Sequence, residues 1–160
     1  MEKTDTTRPI IVWFRDDLRI ADHPALDFAA KTGCPVLAIY VLDEKTSGIR
    51  AFGSAQKWFL HHGLTALEKR LTAIGGRLDI YQGPTETVLG EIVERSKAQM
   101  VCWNRRYGGR EVEIDTAIKA TLQEKDVQTR SFLGNLIHEP YLVKTGGGGP
   151  YRVYSPFWRA

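Results

Sequence analysis

Residues 10–42 read IIVWFRDDLRIADHPALDFAAKTGCPVLAIYVL. An apolar run, Ile10 to Phe14, leads into a charged turn, then a stretch opened by Pro24 and closed by Gly33, then a second apolar run, Val36 to Leu42. Proline at the first helical position and glycine just past the last are ordinary marks of a helix. Near-continuous apolar runs are the mark of strands buried on both faces. The stretch is therefore a β-α-β unit, and the pattern repeats. Apolar runs at Leu78 to Tyr81, Met100 to Trp103 and Val127 to Phe132 alternate with three more helical patterns. In the second helix, with Ser54 as its cap, Leu60, Leu64, Leu67, Leu71 and Ile74 step by four and three until Gly75 stops them. The third follows Pro84 with Val88, Leu89, Ile92 and Val93 inward, and the fourth runs from Arg110 to Glu124 with Ile114, Ile118 and Leu122 inward. This alternation predicts a doubly wound α/β fold, a five-stranded parallel sheet with helices on both faces. In the common strand order 3-2-1-4-5, ligands bind at the carboxyl ends of strands 1 and 4. The turns Arg15 to Asp22 and Asn104 to Gly109 are then the places to look for function.

The 160 residues are 42% hydrophobic, which suits one ordinary globular domain. The spacing divides them into a leader at 1–8, an α/β domain at 9–140, and a Gly-rich then aromatic segment at 141–160. Lys and Arg number 22 against 19 Asp and Glu. Residues 1–100 carry 13 of each sign, so the net charge of +3 arises after Met100, nine basic against six acidic. That excess is too small to mark a nucleic-acid or membrane surface. Cys34 and Cys102 form no CxxC pair, which argues against a disulfide framework or a cysteine-rich zinc site. No apolar run approaches the ~20 residues of a membrane span, and the polar leader lacks a signal peptide's core. A soluble protein of the reducing cytoplasm is expected, with no membrane partner.

No GxGxxG follows a strand, and neither GxxxxGK[ST], HExxH nor GxSxG occurs. His23, His61, His62 and His138 lack ligand spacing, so no metal is assigned. The two cysteines read as small core residues. The first turn packs Arg15, Asp16, Asp17, Arg19 and Asp22 into eight residues, which fits either an internal salt-bridge lattice with Asp22 at the helix start or a site for a polar ligand. The second interleaves Trp103, Asn104, Arg105, Arg106, Tyr107 and Arg110, groups able to stack a flat ring and pair an anion. At 100° per residue Glu111 points between Ile118 and Leu122, an inward carboxylate facing the crevice, or else one that offsets the helix dipole. Trp58 and His62 lie opposite the leucine stripe, about 160° and 200° from Leu60. They form a platform for a ring or a neighbouring domain, the alternative being a lone surface aromatic.

Val12-Trp13-Phe14-Arg15-Asp16-Asp17-Leu18-Arg19-Ile20 with Asp22-His23-Pro24-Ala25-Leu26 resembles the opening signature of the photolyase/cryptochrome family, with His23 in place of the usual Asn. Trp103-Asn104-Arg105-Arg106-Tyr107 with Asp115 resembles that family's second antenna-domain segment. Ser131-Phe132, Leu136-Ile137-His138-Glu139-Pro140 and Pro150-Tyr151-Arg152-Val153-Tyr154-Ser155-Pro156-Phe157-Trp158-Arg159 resemble the stretch that closes the domain. Gln56-Lys57-Trp58-Phe59-Leu60-His61-His62 is most similar to the plant-cryptochrome-like, class III photolyases.

The resemblance implies an amino-terminal domain that holds a light-harvesting pigment: methenyltetrahydrofolate, or a deazaflavin or flavin. A following helical domain would bind FAD, flip a pyrimidine dimer out of DNA and split it by photoinduced electron transfer. These 160 residues alone would then repair nothing. The folate-type members place a polar residue and a Glu where Arg110 and Glu111 stand. The pigment-binding set is accordingly Glu111, Arg110, Trp58, His62, Asn104 and Tyr107, with partners in the helical FAD domain and, through it, damaged DNA. A cryptochrome light sensor would share the same domain. A freestanding nucleotide-binding module of this fold is the third possibility, opposed by the aromatic cluster Tyr151, Tyr154, Phe157 and Trp158, which needs another surface to cover it.

Overall fold

The computed structural model describes residues 5–159. Strands β1 (Ile10–Phe14), β2 (Val36–Leu42), β3 (Leu78–Gln82), β4 (Met100–Asn104) and β5 (Gln128–Phe132) alternate with helices α1 (Pro24–Lys31), α2 (Ser54–Ala73), α3 (Thr85–Ser96) and α4 (Gly109–Glu124). A short helix, α5 (Tyr154–Arg159), follows. The sheet is parallel, as the alternation predicts, and takes the common order β3-β2-β1-β4-β5. In register, Ile10 faces Val36 on one side and Met100 on the other.

Successive side chains of a strand point to opposite faces, so each central strand feeds two cores. Ile10, Val12 and Phe14 join Ala25 and Ala29 of α1 and Leu64, Leu67 and Leu71 of α2. Ile11 and Trp13 join Val88, Leu89, Ile92 and Val93 of α3 and Ile114, Ile118 and Leu122 of α4. Helices α1 and α2 thus cover one face and α3 and α4 the other. Each buried side chain of this size contributes about 1.5–3 kcal/mol, so the sheet's centre dominates the stability.

Four local expectations change. The apolar runs ending at Tyr81 and Phe132 are not buried throughout: β3 and β5 are the sheet's edges, and Ile80 stands 55% exposed. Ile74 leaves the leucine stripe because α2 ends at Ala73. Ile74 is the C-cap and is 67% exposed. Ser54 is the first residue of α2 and Gly53 its N-cap, with no side-chain capping bond. At α1 the cap is His23, whose Nδ1 accepts from the Leu26 amide at 3.1 Å, while Asp22 takes a left-handed conformation with φ 51°. Of the leader at 1–8, residues 1–4 lie outside the described residues. Asp5 and Arg8 are tied to the amino edge of the sheet, their carbonyls accepting from the Gln99 amide at 2.6 and 2.7 Å. Ala160, at the end of the closing segment, also lies outside the described residues.

Candidate functional site

The carboxyl ends of the strands carry a buried polar lattice and, beside it, a small crevice. The lattice starts from Arg15, the first residue after β1, and Asp115, nearly two turns into α4. Arg15 Nη1 donates to Asp115 Oδ1 at 2.6 Å, with side chains 3% and 9% exposed. Asp115 Oδ2 also accepts from Trp103 Nε1 at 2.9 Å. Arg15 Nε donates to the Asn104 carbonyl at 3.1 Å, so the guanidinium clips β1 to β4 and α4 together. Burial lowers the Arg15 pKa, and the Asp115 charge opposes that shift. The Asn104 amide donates to Asp17 and its Oδ1 accepts from the Ala25 amide at 3.1 Å, at the head of α1. Nε2 of His23 faces the same Asp17 carboxylate at 3.5 Å. Burial would raise Asp17, but hydrogen bonds from His23 and Asn104 outweigh it and hold the carboxyl below its ordinary range. Of the two readings of the charged turn, the internal lattice describes Arg15 and Asp17. The switch point between β1 and β4 is filled by the protein's own side chains.

A small cleft of about 40 Å³ lies next to it, over β1 and β2. Trp13, Arg15 and Asp16, then Tyr40, Val41 and Asp43, line it, together with Ile49, Phe52, Thr85 and Arg106. Trp13, Tyr40 and Phe52 give it aromatic walls, and Arg15, Asp16, Asp43, Thr85 and Arg106 set charged and polar groups among them. Trp13 is 2% exposed and its Nε1 has no acceptor, and Arg106 Nε is likewise buried and without one. An unanswered buried donor costs roughly 1–3 kcal/mol, so these two groups favour a ligand that brings acceptors. Burial, aided by the Asp16 charge, pushes the Tyr40 phenol up to about 12, so it stays neutral. The guanidinium of Arg15 lies 4.6 Å over the Trp13 ring and fixes its plane.

Residues 10–160 match the DNA photolyase family. The chain belongs to that family. It is 46% identical over 154 residues to the deoxyribodipyrimidine photo-lyase of Agrobacterium fabrum, covering 96% of this chain and 32% of that protein. It is 33% identical over 150 residues to cryptochrome-1 of Arabidopsis thaliana, covering 92% of this chain and 22% of that one. A class III photolyase from Agrobacterium tumefaciens superposes with a TM-score of 0.88 at 42% identity, over 99% of this chain and 32% of that structure. The chain therefore spans about a third or less of these relatives and corresponds to the amino-terminal α/β domain of photolyases. The family binds flavin and antenna chromophores.

None of the six pigment-binding residues expected from the sequence lines the crevice of this photolyase domain. Asn104, 3% exposed, is a lattice member. Tyr107 braces the closing segment, its hydroxyl accepting from the Gly134 amide at 3.1 Å beside Glu139. Glu139, buried, accepts from Arg105 Nε at 3.0 Å. Glu111 does not face the crevice: its carboxylate curls back over Gly108, the N-cap of α4, where any side chain at 108 would collide with it. That placement is dipole compensation at the third helical position. Arg110 reaches the β2–α2 loop, donating from Nε to the Ser47 carbonyl at 2.8 Å and from Nη1 to Glu113 at 2.7 Å. Trp58 and His62 meet edge-on at 4.4 Å on the outer face of α2, Trp58 being 66% exposed and Phe59 beside it 74%. They and Glu111 ride on helices from opposite layers of the sheet. The cysteines are free and buried, and burial pushes the Cys102 thiol up to about 12, as befits a core residue.

The crevice liners Tyr40, Asp43, Ile49, Phe52 and Thr85 escaped the sequence reading. A signal existed in Asp43-x-x-Thr46 directly after a strand, since such a carboxylate bonds the backbone ahead of it. Asp43 accepts from the Thr46 amide at 2.9 Å and hydroxyl at 2.6 Å, and from the Thr85 amide and hydroxyl at 2.8 Å each. It thereby caps α3, whose own N-cap residue is Pro84, from across the crevice. Burial would raise this carboxyl, but the hydrogen bonds from Thr46 and Thr85 hold it at about 2. Its folded pKa is below its unfolded value, so its contribution is complete above about pH 4 and is lost as pH falls through about 2. After discounting for solvent exposure this amounts to about 1–2 kcal/mol. Urea unfolding of wild type and Asp43→Asn between pH 2 and 6 should show a gap that closes toward pH 2. A constant gap would mean that Asp43 acts through packing alone.

Among the described residues no helix is long and apolar enough to cross a membrane.

Proposed function

We propose that this chain is the light-harvesting domain of a deoxyribodipyrimidine photolyase, a carbon–carbon lyase that splits pyrimidine dimers in DNA under blue light. FAD and the lesion would be handled by a helical domain of the same protein. The observation that carries the pigment reading is the crevice, in which a planar aromatic wall, two buried donors without acceptors and the Asp16 carboxylate converge on a photolyase-family scaffold. Carbonyl oxygens of a fused ring would answer Trp13 Nε1 and Arg106, and a ring N–H would answer Asp16. Methenyltetrahydrofolate and flavin-type rings both present such edges. Dipolar energy transfer depends on orientation as well as distance, and the Trp13 plane pinned by Arg15 supplies a fixed one. A reducing cytoplasm suits the two free thiols.

Two other placements rest on specific observations. The exposed Trp58–His62 face offers a second platform for the pigment, or for the helical domain. The likeness to cryptochrome-1 favours a light sensor as the second function. The test is repair of a dimer-containing oligonucleotide by the full-length protein, in blue light and in darkness, with the near-ultraviolet absorbance of the purified protein recorded. Light-dependent repair together with a pigment band that sensitises it is the expected result. A pigment band with no repair would replace the lyase by the sensor.

A further inference from the structure

The loop between β2 and α2, residues 43–53, roofs the crevice with Ile49 and Phe52. Its near end is moored to α3 through Asp43 and Thr85 and to α2 through Glu44, which pairs with Lys57 at 2.8 Å, and its far end is tied back to Glu44, which accepts from the Phe52 amide at 3.2 Å. Between the moorings the chain reverses in a tight turn: the Ile49 amide donates to the Thr46 carbonyl at 3.1 Å, and Gly48 has φ +82°. Arg110 grips the tip of this turn from α4. Its Nε takes the Ser47 carbonyl, Glu113 holds the other arm of the fork, and its stem lies so close to Gly48 that a Cβ there would come within 2.9 Å of Nε and 3.1 Å of Cδ. The positive φ favours glycine at this position, and a side chain there would also push Arg110 aside.

We propose that Arg110 is a latch that holds the 43–53 loop closed over the crevice, rather than a residue that touches the ligand. Three features support this assignment. The ring-lining residues Ile49 and Phe52 lie just beyond the point that Arg110 holds. Its Nε and Nη1 are engaged by Ser47 and Glu113. The guanidinium sits on the solvent side of the turn, with 43% of its side chain exposed. Ile49 packs against the core as a partly buried residue, so opening the turn withdraws an apolar wall and admits water. The role for ligand exchange rests on the crevice being the pigment site.

A latch lowers the barrier for entry and exit alike when it is removed, whereas a ligand contact lowers affinity through release alone. In the full-length protein, Arg110→Ala should raise amide hydrogen exchange in residues 46–52 roughly fivefold, with the α3 and α4 cores unchanged. Stopped-flow mixing with 5,10-methenyltetrahydrofolate or riboflavin should show association and dissociation accelerating together. Arg110→Lys keeps a donor for Ser47 and should restore most of the protection. Unchanged exchange in the loop, or faster release with unchanged association, would overturn the latch. Faster exchange in the loop with neither probe binding in the crevice would uphold the latch and overturn the pigment reading.

Discussion

Asp115→Ala is expected to destabilise the domain by about 3–5 kcal/mol. Asp115 is the counter-ion of Arg15, and both lie under the sheet's carboxyl edge with less than a tenth of either side chain exposed. Removing the carboxylate leaves a buried guanidinium with the Asn104 carbonyl and the Trp13 face but no carboxylate bonded to it, and strips Trp103 Nε1 of its acceptor. Most of the loss is the penalty of an unpaired buried charge, not the net worth of the pair. Two variants separate these contributions in urea unfolding. Asp115→Asn keeps an acceptor for Trp103 and should fall between wild type and alanine. The double change Arg15→Met with Asp115→Leu removes both charges at similar volume and should recover most of the stability. If the double variant proved as unstable as Asp115→Ala alone, the damage would lie in packing and the unpaired-charge account would be wrong.

Asp16→Ala is expected to weaken pigment binding roughly tenfold to a hundredfold, the span that follows from losing one charge-assisted hydrogen bond. The carboxylate is exposed at the rim of the crevice, so its removal should change the folding stability by less than about 0.5 kcal/mol. Trp13→Phe is the companion variant. It deletes the unanswered Nε1 while keeping a ring against Arg15, and should weaken binding about fivefold. Equilibrium titration with methenyltetrahydrofolate, followed in the near ultraviolet, gives the readout. Should both variants bind as tightly as wild type while Trp58→Ala does not, the pigment sits on the outer face of α2 instead.

Much of this molecule is local. Pro24 and Gly33 bracket α1, the leucine stripe of α2 is buried at Leu64, Leu67 and Leu71, and the parallel sheet follows from the alternation of the elements. The family, too, is legible in contiguous motifs around Trp13–Pro24 and Trp103–Tyr107. Site geometry was less accessible, and Glu111 shows why. Its helical phase aims the Cβ inward, but the torsions beyond Cβ fold the carboxylate back onto Gly108, and helical phase carries no information about those torsions. Arg110 was read as a ligand group because it stands beside that Glu, yet its partner, Ser47, is 63 positions away.

The sequence by itself determined the elements, their order and the two apolar faces of the sheet, because periodicity and turn chemistry act over a few residues and the burial they demand admits few topologies. Only the tertiary structure decided where the free space lies. Arg15 and Asp115 are 100 positions apart and Asn104 and Asp17 are 87 apart, and when they meet they fill the β1–β4 switch point and leave the opening over β1 and β2. Each of these side chains could have faced solvent or a ligand. Which of them is spent on another is settled by desolvation, since a charge carried into the interior must find its partner there.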